Sequence, residues 1–220
     1  VDSAARIWIG VAVPIARPAQ AEMTVTLPET AFGRDDALVA RLRKAVPGLE
    51  AGARVAAEAA FRLSGGTPHA VGRARVRDGQ FRKKEVSVSG LSVDMPFEFG
   101  PAFRTRDRPS LTFERIQAGN IRLDAGRIEF DLTSREARVD SMEVGWCKGS
   151  LRAYSVHLDL KERKDEFVVY ADRIDLGEAL MMVMPFQGVM EGVLYGRFPV
   201  GIDGNQIRLS TGYLYSLPGQ

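Results

Sequence analysis

Short runs in which hydrophobic and polar residues alternate dominate the chain and indicate β-strands with one apolar side. A clear example is RIEFDL at residues 127–132, where every second residue is apolar. Similar runs recur along most of the chain, and no helix of the length that a parallel β-α-β unit needs separates them in the second half. The pattern predicts a mainly β fold built on an antiparallel sheet.

Two segments replace this alternation with the spacing of a short amphipathic helix. Residues 35–46 form the first, which Pro47 ends, and residues 176–184 form the second, which Pro185 ends. Glycines and then a strand follow both helices. This common order predicts two short helices and an approximate internal repeat, with units at residues 1–100 and 101–220.

Glycine-containing turns predict where the strands reverse. We expect tight turns at Asp78-Gly79 and Asp203-Gly204-Asn205, a bulge or bend at Gly90, and a strand break at Asp124-Ala125-Gly126. Residues 103–109 are expected to form a loop or a crossover. Alternate residues of the last strand are expected to share one face, namely Ile207, Leu209, Thr211, Tyr213 and Tyr215.

The composition is that of a globular protein, with 220 residues, 45% hydrophobic and 26% charged. Its 30 basic and 28 acidic residues leave a net charge of +2 and alternate along the strands, which argues against nucleic-acid binding. The single cysteine, Cys147, excludes an internal disulfide. Residues 7–16 are too short an apolar run to span a bilayer. Because the chain starts at Val1 without a methionine and stops at Gln220 just after a predicted strand, we expect a fragment of a longer protein, with any membrane anchor outside it.

Motifs for catalysis or metal binding are absent from the sequence. His69 and His157 have no partner at the spacing of a metal site or a triad, so we expect both on the solvated surface. Carboxylates on alternate strand positions more often form a solvated sheet face than a glycosidase pair; these are Glu129, Asp131, Glu136 and Asp140. The sequence predicts no enzyme activity, no metal and no cofactor.

Three segments of the second half carry a resemblance to a known family. They are LTFERIQAGNIRLDAGRIEFDLT, VDSMEVGWCKGSLRAYSVHLDL and VYADRIDLGEALMMVMPFQGVMEGVLYGRFPVGIDGNQIRLSTGYLYS. Together they resemble the C-terminal region of the YdbH-like intermembrane phospholipid transport proteins, which belong with the AsmA-like and TamB-like bridge proteins of Gram-negative envelopes. The first half is similar more loosely, through the repeated helix-proline-strand unit. The methionines of MMVMPFQGV stand where the family would have leucines.

The resemblance implies a long, curved antiparallel sheet whose apolar concave face carries phospholipid acyl chains between the inner and outer membranes. It also implies a periplasmic protein that is anchored in the inner membrane and contacts membranes through parts outside this chain. At one end, a small outer-membrane lipoprotein of the YnbE type is expected to add a strand. An older label for this region, dicarboxylate transport, has no support in the residues.

The residues expected to line such a lipid groove are the apolar positions of the alternating strands. They are Val55, Ala57, Ala59, Phe61, Ile128, Phe130, Leu132, Tyr154, Val156, Leu158, Phe167, Val169, Leu194 and Phe198. Two alternatives stay open. In a structural or adhesive β-sandwich of the cell envelope, the same residues would fill a core. In a carbohydrate-active enzyme, two carboxylates would meet on a concave face.

Overall fold

A single open antiparallel sheet of 14 strands, accompanied by two short helices, forms the molecule in the computed structural model, as the alternation predicts. The structure describes residues 7–12, 22–33, 36–64, 67–162, 164–183, 190–204 and 206–216. The helices are α1 Ala37–Ala45 and α2 Leu176–Val183. The strands are β1 Trp8–Ala12, β2 Glu22–Phe32, β3 Glu50–Ser64, β4 Thr67–Lys83, β5 Val86–Phe99, β6 Phe103–Thr105, β7 Ser110–Ala118, β8 Ile121–Leu132, β9 Glu136–Trp146, β10 Gly149–Asp159, β11 Lys164–Asp175, β12 Val193–Asp203, β13 Gln206–Leu209 and β14 Tyr213–Tyr215.

Strands that follow one another in the chain are generally neighbours in the sheet. The continuous path runs from β1 to β5 and then from β7 to β13, while β6 pairs with β5 and β14 pairs with β12. With neighbouring strands about 4.8 Å apart, this path extends over roughly 50 Å. Within the described residues, β1 lies at one edge of the sheet and β13 with β14 at the other.

Both helices lie at the same rim of the sheet, because the strands that they follow, β2 and β11, run in the same direction in this antiparallel sheet. Helix α1 joins β2 to β3 and ends just before Pro47, as predicted; helix α2 joins β11 to β12. At the start of α2, the Asp175 carboxylate accepts a hydrogen bond of 2.9 Å from the backbone N–H of Glu178, which is an N-cap. The predicted stop at Pro185 lies outside the described residues.

Bulges replace two of the predicted strand ends. Strand β4 continues through Asp78, which adopts φ 52° where the register with β3 shifts, and the chain reverses only after Lys83. Strand β8 likewise continues through Ala125, with φ 43°. The predicted turn at Asp78-Gly79 and the predicted break at Asp124-Ala125-Gly126 are therefore wrong. The bulge predicted at Gly90 is confirmed, because β5 continues through this residue with φ 66° and a register shift beside it.

Two other segments also differ from prediction. Residues 103–109, expected to be a loop, contain the short strand β6, and the Thr105 hydroxyl accepts a 2.8 Å hydrogen bond from the backbone of Leu132. The last strand is split into β13 and β14 between Leu209 and Tyr213. Leu209 pairs with Val200, whose side chain lies on one face of β12. Tyr213 pairs with Arg197, whose side chain lies on the other face. Leu209 therefore lies on one face and Tyr213 and Tyr215 on the other, so the prediction that these residues share a face is wrong.

The sheet has no second sheet over it, because every described strand belongs to the same one. The chain exposes 15053 Å² of surface, whereas a compact globular monomer of 24.1 kDa exposes roughly 10,000 Å². A filled β-sandwich core would bury much more. Strongly twisted sheets of more than about ten strands generally curl, split or flatten, and bulges bend and twist the strands that carry them. The bulges in β2, β4, β8 and β11 therefore favour a curved sheet.

Candidate functional site

One face of the sheet, here called the apolar face, carries hydrophobic side chains from β2 to β13. Cross-strand partners lie on the same face, so the register defines it: Ala57 pairs with Leu27 and Ala74, while Phe130 pairs with Val139. All the predicted lining residues except Tyr154 lie on this face, namely Val55, Ala57, Ala59, Phe61, Ile128, Phe130, Leu132, Val156, Leu158, Phe167, Val169, Leu194 and Phe198.

Tyr154 lies on the opposite face, which corrects its predicted position. The next residue, Ser155, adopts φ 52° and shifts the alternation by one position. Tyr154 is consequently 53% exposed and contacts the ring of Tyr170 with centroids 6.2 Å apart, while Val156 returns to the apolar face. A non-glycine residue with positive φ leaves little signal in the sequence, so regular alternation placed Tyr154 with Val156.

The sequence analysis missed the apolar residues of β4, β5 and β7. Ala74 pairs with Met95, Val76 pairs with Val93, and Val93 also pairs with Leu111, so this row links the two predicted groups of lining residues. The signal was present at residues 71–77, where small residues alternate with arginines. It was weak because glycine and alanine contribute little hydrophobicity.

The apolar face is most closely packed across β9 to β12. Ala153, Val156, Val169 and Val200 are buried there, with partly buried side chains packed around them, including Phe167 and Phe198. No second sheet covers this cluster in the described part of the chain. Small residues are thus sheltered by larger neighbours on the same face, and the phenyl rings keep part of their surface open to a ligand.

The opposite face, here called the charged face, carries rows of ion pairs. Arg152 reaches both Glu143, at 3.0 Å, and Asp172, at 3.2 Å, across three adjacent strands. In a second group, two arginines of β4, Arg73 and Arg75, share the carboxylate of Asp94 in β5, at 3.1 and 3.4 Å. Such exposed pairs add little stability individually. Together they give the sheet one side that is compatible with water over most of its length.

Two of the four carboxylates considered for catalysis, Glu129 and Asp140, belong to this network. Glu129 accepts hydrogen bonds from Arg127 and from the Ser141 hydroxyl, at 3.2 and 3.3 Å, and Asp140 pairs with Arg138 at 3.0 Å. Each of these two carboxylates is thus already engaged by neighbouring side chains of the sheet. Within the described residues no group of three acidic, histidine or cysteine side chains could hold a metal ion.

His69 has a partner that the sequence did not reveal. Its Nε2 atom lies 2.8 Å from Glu98 Oε1, and Arg104 donates to the other oxygen of Glu98 at 2.7 Å. Hydrogen bonds from Arg104 and His69 lower the pKa of the Glu98 carboxyl. The predicted surface location of His69 is retained, but its ring is held in an ion-paired cluster that links β4, β5 and β6.

Helix α2 covers the apolar face at the helix-bearing rim. Met182 and Ala179 pack against Cys147, Ala171 and Ile174. Burial, and then the nearby carboxylates of Glu178 and Asp175, raise the pKa of the Cys147 thiol to about 11. A cavity of about 850 Å³ opens beside the helix, bounded by both apolar and charged residues, including Trp146, Met181, Met182 and Lys148.

Comparison of the sequence with models of known protein families identifies the family of this chain. The family described as "YdbH-like: Intermembrane phospholipid transport protein YdbH" matches residues 16–219. The chain belongs to the YdbH-like family. No curated protein and no solved structure matches it.

Membership of the YdbH-like family implies intermembrane phospholipid transport, and hence a place in the periplasm between two membranes. Lipid transport proteins are generally not enzymes, in agreement with the absence of catalytic motifs. None of the helices that the structure describes has the length and apolarity needed to cross a bilayer. The open apolar face is the feature of this YdbH-like chain that suits a lipid.

Proposed function

We propose that this chain binds phospholipid acyl chains on its apolar face and serves as a non-catalytic conduit between the inner and outer membranes. The observation that carries the proposal is the uninterrupted apolar face of one long sheet without a second sheet over it in the described residues. Charged residues are confined mainly to the other side, so an acyl chain could slide along the sheet without meeting a buried charge.

The energetic reason for such a face is the cost of moving hydrocarbon through water. Exposing one methylene costs about 0.8 kcal/mol, so two chains of about sixteen carbons would cost on the order of 25 kcal/mol without shelter. Contact with an apolar face of roughly 50 Å removes much of this cost at every point along the path. The headgroup can remain in water at the rim of the sheet.

Photo-crosslinking from the two faces of one strand tests the proposal directly. A benzophenone amino acid in place of Phe167, on the apolar face of β11, is expected to capture phospholipid in whole envelopes. The same amino acid in place of Tyr170, on the charged face of β11, is the matched control and is expected to capture none. Equal capture from the two positions, or capture only from Tyr170, would contradict the proposal.

Native mass spectrometry of the purified chain separates this function from the alternatives. The conduit predicts bound species with phospholipid masses, which organic extraction removes. An adhesive domain of the cell envelope predicts no such species. A carbohydrate-active enzyme predicts an activity that Glu129→Gln or Asp131→Asn abolishes, whereas the conduit predicts no such effect because both residues lie on the charged face.

We also propose that a small outer-membrane lipoprotein of the YnbE type adds a strand at the edge formed by β13 and β14. This edge has no further strand within the described residues, and unpaired backbone groups at a sheet edge are a recognised template for strand addition. A crosslinker at Gln206 is expected to capture a small lipoprotein in whole envelopes. The absence of any captured protein, with expression of the chain confirmed, would count against it.

A further inference from the structure

The last strands differ from the rest of the sheet because both of their faces carry exposed hydrophobic or aromatic side chains. Leu209 and Leu214, on the apolar face, are 72% and 55% exposed, and Tyr213 and Tyr215, on the charged face, are 57% and 49% exposed. Elsewhere the charged face consists mainly of ion pairs. This region, here called the tyrosine end, consists of Tyr195, Arg197, Leu209, Tyr213, Leu214 and Tyr215.

The aromatic side chains of the tyrosine end form one connected surface. The rings of Tyr195 and Tyr215 stack with centroids 5.9 Å apart, and Tyr213 contacts Tyr215 at 6.2 Å. The Arg197 guanidinium lies 5.9 Å from the centre of the Tyr213 ring. All 5 tyrosines of the chain lie in β10 to β14. Among the described strands, the only other aromatic residue on the charged face is Trp8 in β1.

We propose that the tyrosine end lies in the headgroup region of a phospholipid bilayer. Tyrosine suits this region because its ring contacts the upper acyl chains while its hydroxyl remains hydrated. Strands β12 to β14 carry two cations, Arg197 and Arg208, against one carboxylate, Asp203, a balance complementary to anionic headgroups. The proposal is independent of lipid carriage, because it concerns the end of the sheet and both of its faces.

A bilayer fits this surface better than a protein strand or a second copy of the chain. A strand added in the plane of the sheet would pair with the backbone of the edge but would leave Leu214 and Tyr215 uncovered on opposite faces. Only surroundings that reach both faces can shelter these residues. Strand addition at the edge and contact of the faces with headgroups are therefore compatible.

Flotation of the chain with vesicles of phosphatidylethanolamine and phosphatidylglycerol tests the proposal. The wild-type chain is expected to float with the vesicles. Tyr213→Thr with Tyr215→Thr is expected to weaken partitioning about tenfold, because two rings no longer contact the bilayer while the β-branched replacement preserves strand propensity. The matched control, Tyr154→Thr with Tyr170→Thr, removes two tyrosines from the same face further from the edge and is expected to change partitioning less than about twofold.

Three results would overturn the proposal: a wild-type chain that stays in the soluble fraction, an equal loss in both double variants, or a loss that follows dissociation of a dimer in ultracentrifugation. The last result would assign the surface to a second copy. Circular dichroism checks that the variants are folded. Because crosslinking at Phe167 reports lipid on the apolar face, failure of vesicle binding and failure of lipid carriage are distinguished.

Discussion

Cys147 illustrates how the position of one side chain in the fold determines its chemistry. Its side chain is only 5% exposed, and burial together with Glu178 and Asp175 raises the pKa of the thiol from 9.0 to about 11. The thiolate is the reactive form, so the folded chain holds about a hundredfold less of it near pH 8 than an unfolded chain. The sequence offers no reason to expect this inertness, because the next residue, Lys148, is basic, and only the fold shows its ammonium group paired with Asp175 and Glu178.

We predict that a maleimide reacts with Cys147 at least about a hundredfold more slowly in the folded chain than in denaturant at pH 8. The difference should shrink as the pH approaches 11. Because the raised pKa means that the folded state holds the proton more tightly, the associated stability is present below pH 9 and lost as the pH rises toward 11. Mass spectrometry of labelled chain measures the rates. Comparable rates in the two states would show that the thiol is accessible.

A second prediction at this scale concerns Gly126. A Cβ atom there would overlap the ring of Phe113, which is buried against this glycine. Gly126→Ala must displace the ring and is expected to lower the free energy of unfolding by about 1–3 kcal/mol. Gly204→Ala is the control: its φ of 64° is strained for alanine, but no atom is near, so about 1 kcal/mol is expected. Denaturant unfolding measures both, and a smaller effect at Gly126 would contradict this packing.

At the scale of elements, the N-cap of α2 can be tested separately from its ion pair. The Asp175 carboxylate caps the helix and also binds Lys148 at 3.1 Å. The backbone N–H of Glu178, followed by Lys148, lowers the pKa of this carboxyl. We expect Asp175→Ala to lower the free energy of unfolding by about 1 kcal/mol, and Asp175→Asn to lower it by less, because asparagine also caps helices. Equal losses in thermal or denaturant unfolding would assign the effect to charge.

The helices and most strands could be predicted because their signals are local. Pro47 ends α1, and alternation marks β8 and β10. The bulge at Gly90 could be predicted from its glycine, but the bulges at Asp78 and Ala125 and the change of alternation at Ser155 could not, because these residues adopt positive φ without being glycine. Each is fixed by register with neighbouring strands, which is a long-range property. This also explains why Tyr154 was placed on the wrong face: the positive φ of Ser155 interrupts the alternation between Tyr154 and Val156.

At the scale of the whole molecule, the sequence shows which residues are apolar but not what covers them. Phe130 and Phe198 would alternate with charged neighbours equally well in a sandwich or in an open sheet. Pairing of every described strand into one sheet decides this point. The consequence is that the apolar residues of β5, together with those of β4, which the alternation barely indicates, connect the two predicted groups. The proposed lipid path therefore runs over residues of the middle strands as well as over the predicted ones.

The proposed path predicts that one charge in these middle strands blocks the entire molecule. Val93 lies on the apolar face between Val76 and Leu111, whereas its neighbour Ser92 pairs with Thr112 on the charged face. Val93→Asp would force a passing acyl chain away from the sheet. If about five methylenes are exposed, the barrier rises by about 4 kcal/mol, and transfer slows roughly a thousandfold if this step limits the rate.

Ser92→Asp adds the same charge one residue away and is the matched control, with an expected change in transfer of less than about threefold because the carboxylate faces water. Transfer of labelled phospholipid between donor and acceptor vesicles measures both variants, and circular dichroism confirms their folding. Similar rates for the two folded variants would mean that lipid does not pass Val93. In that case the apolar face would hold lipid locally without forming a continuous path, and the middle strands would serve only to connect two separate binding regions.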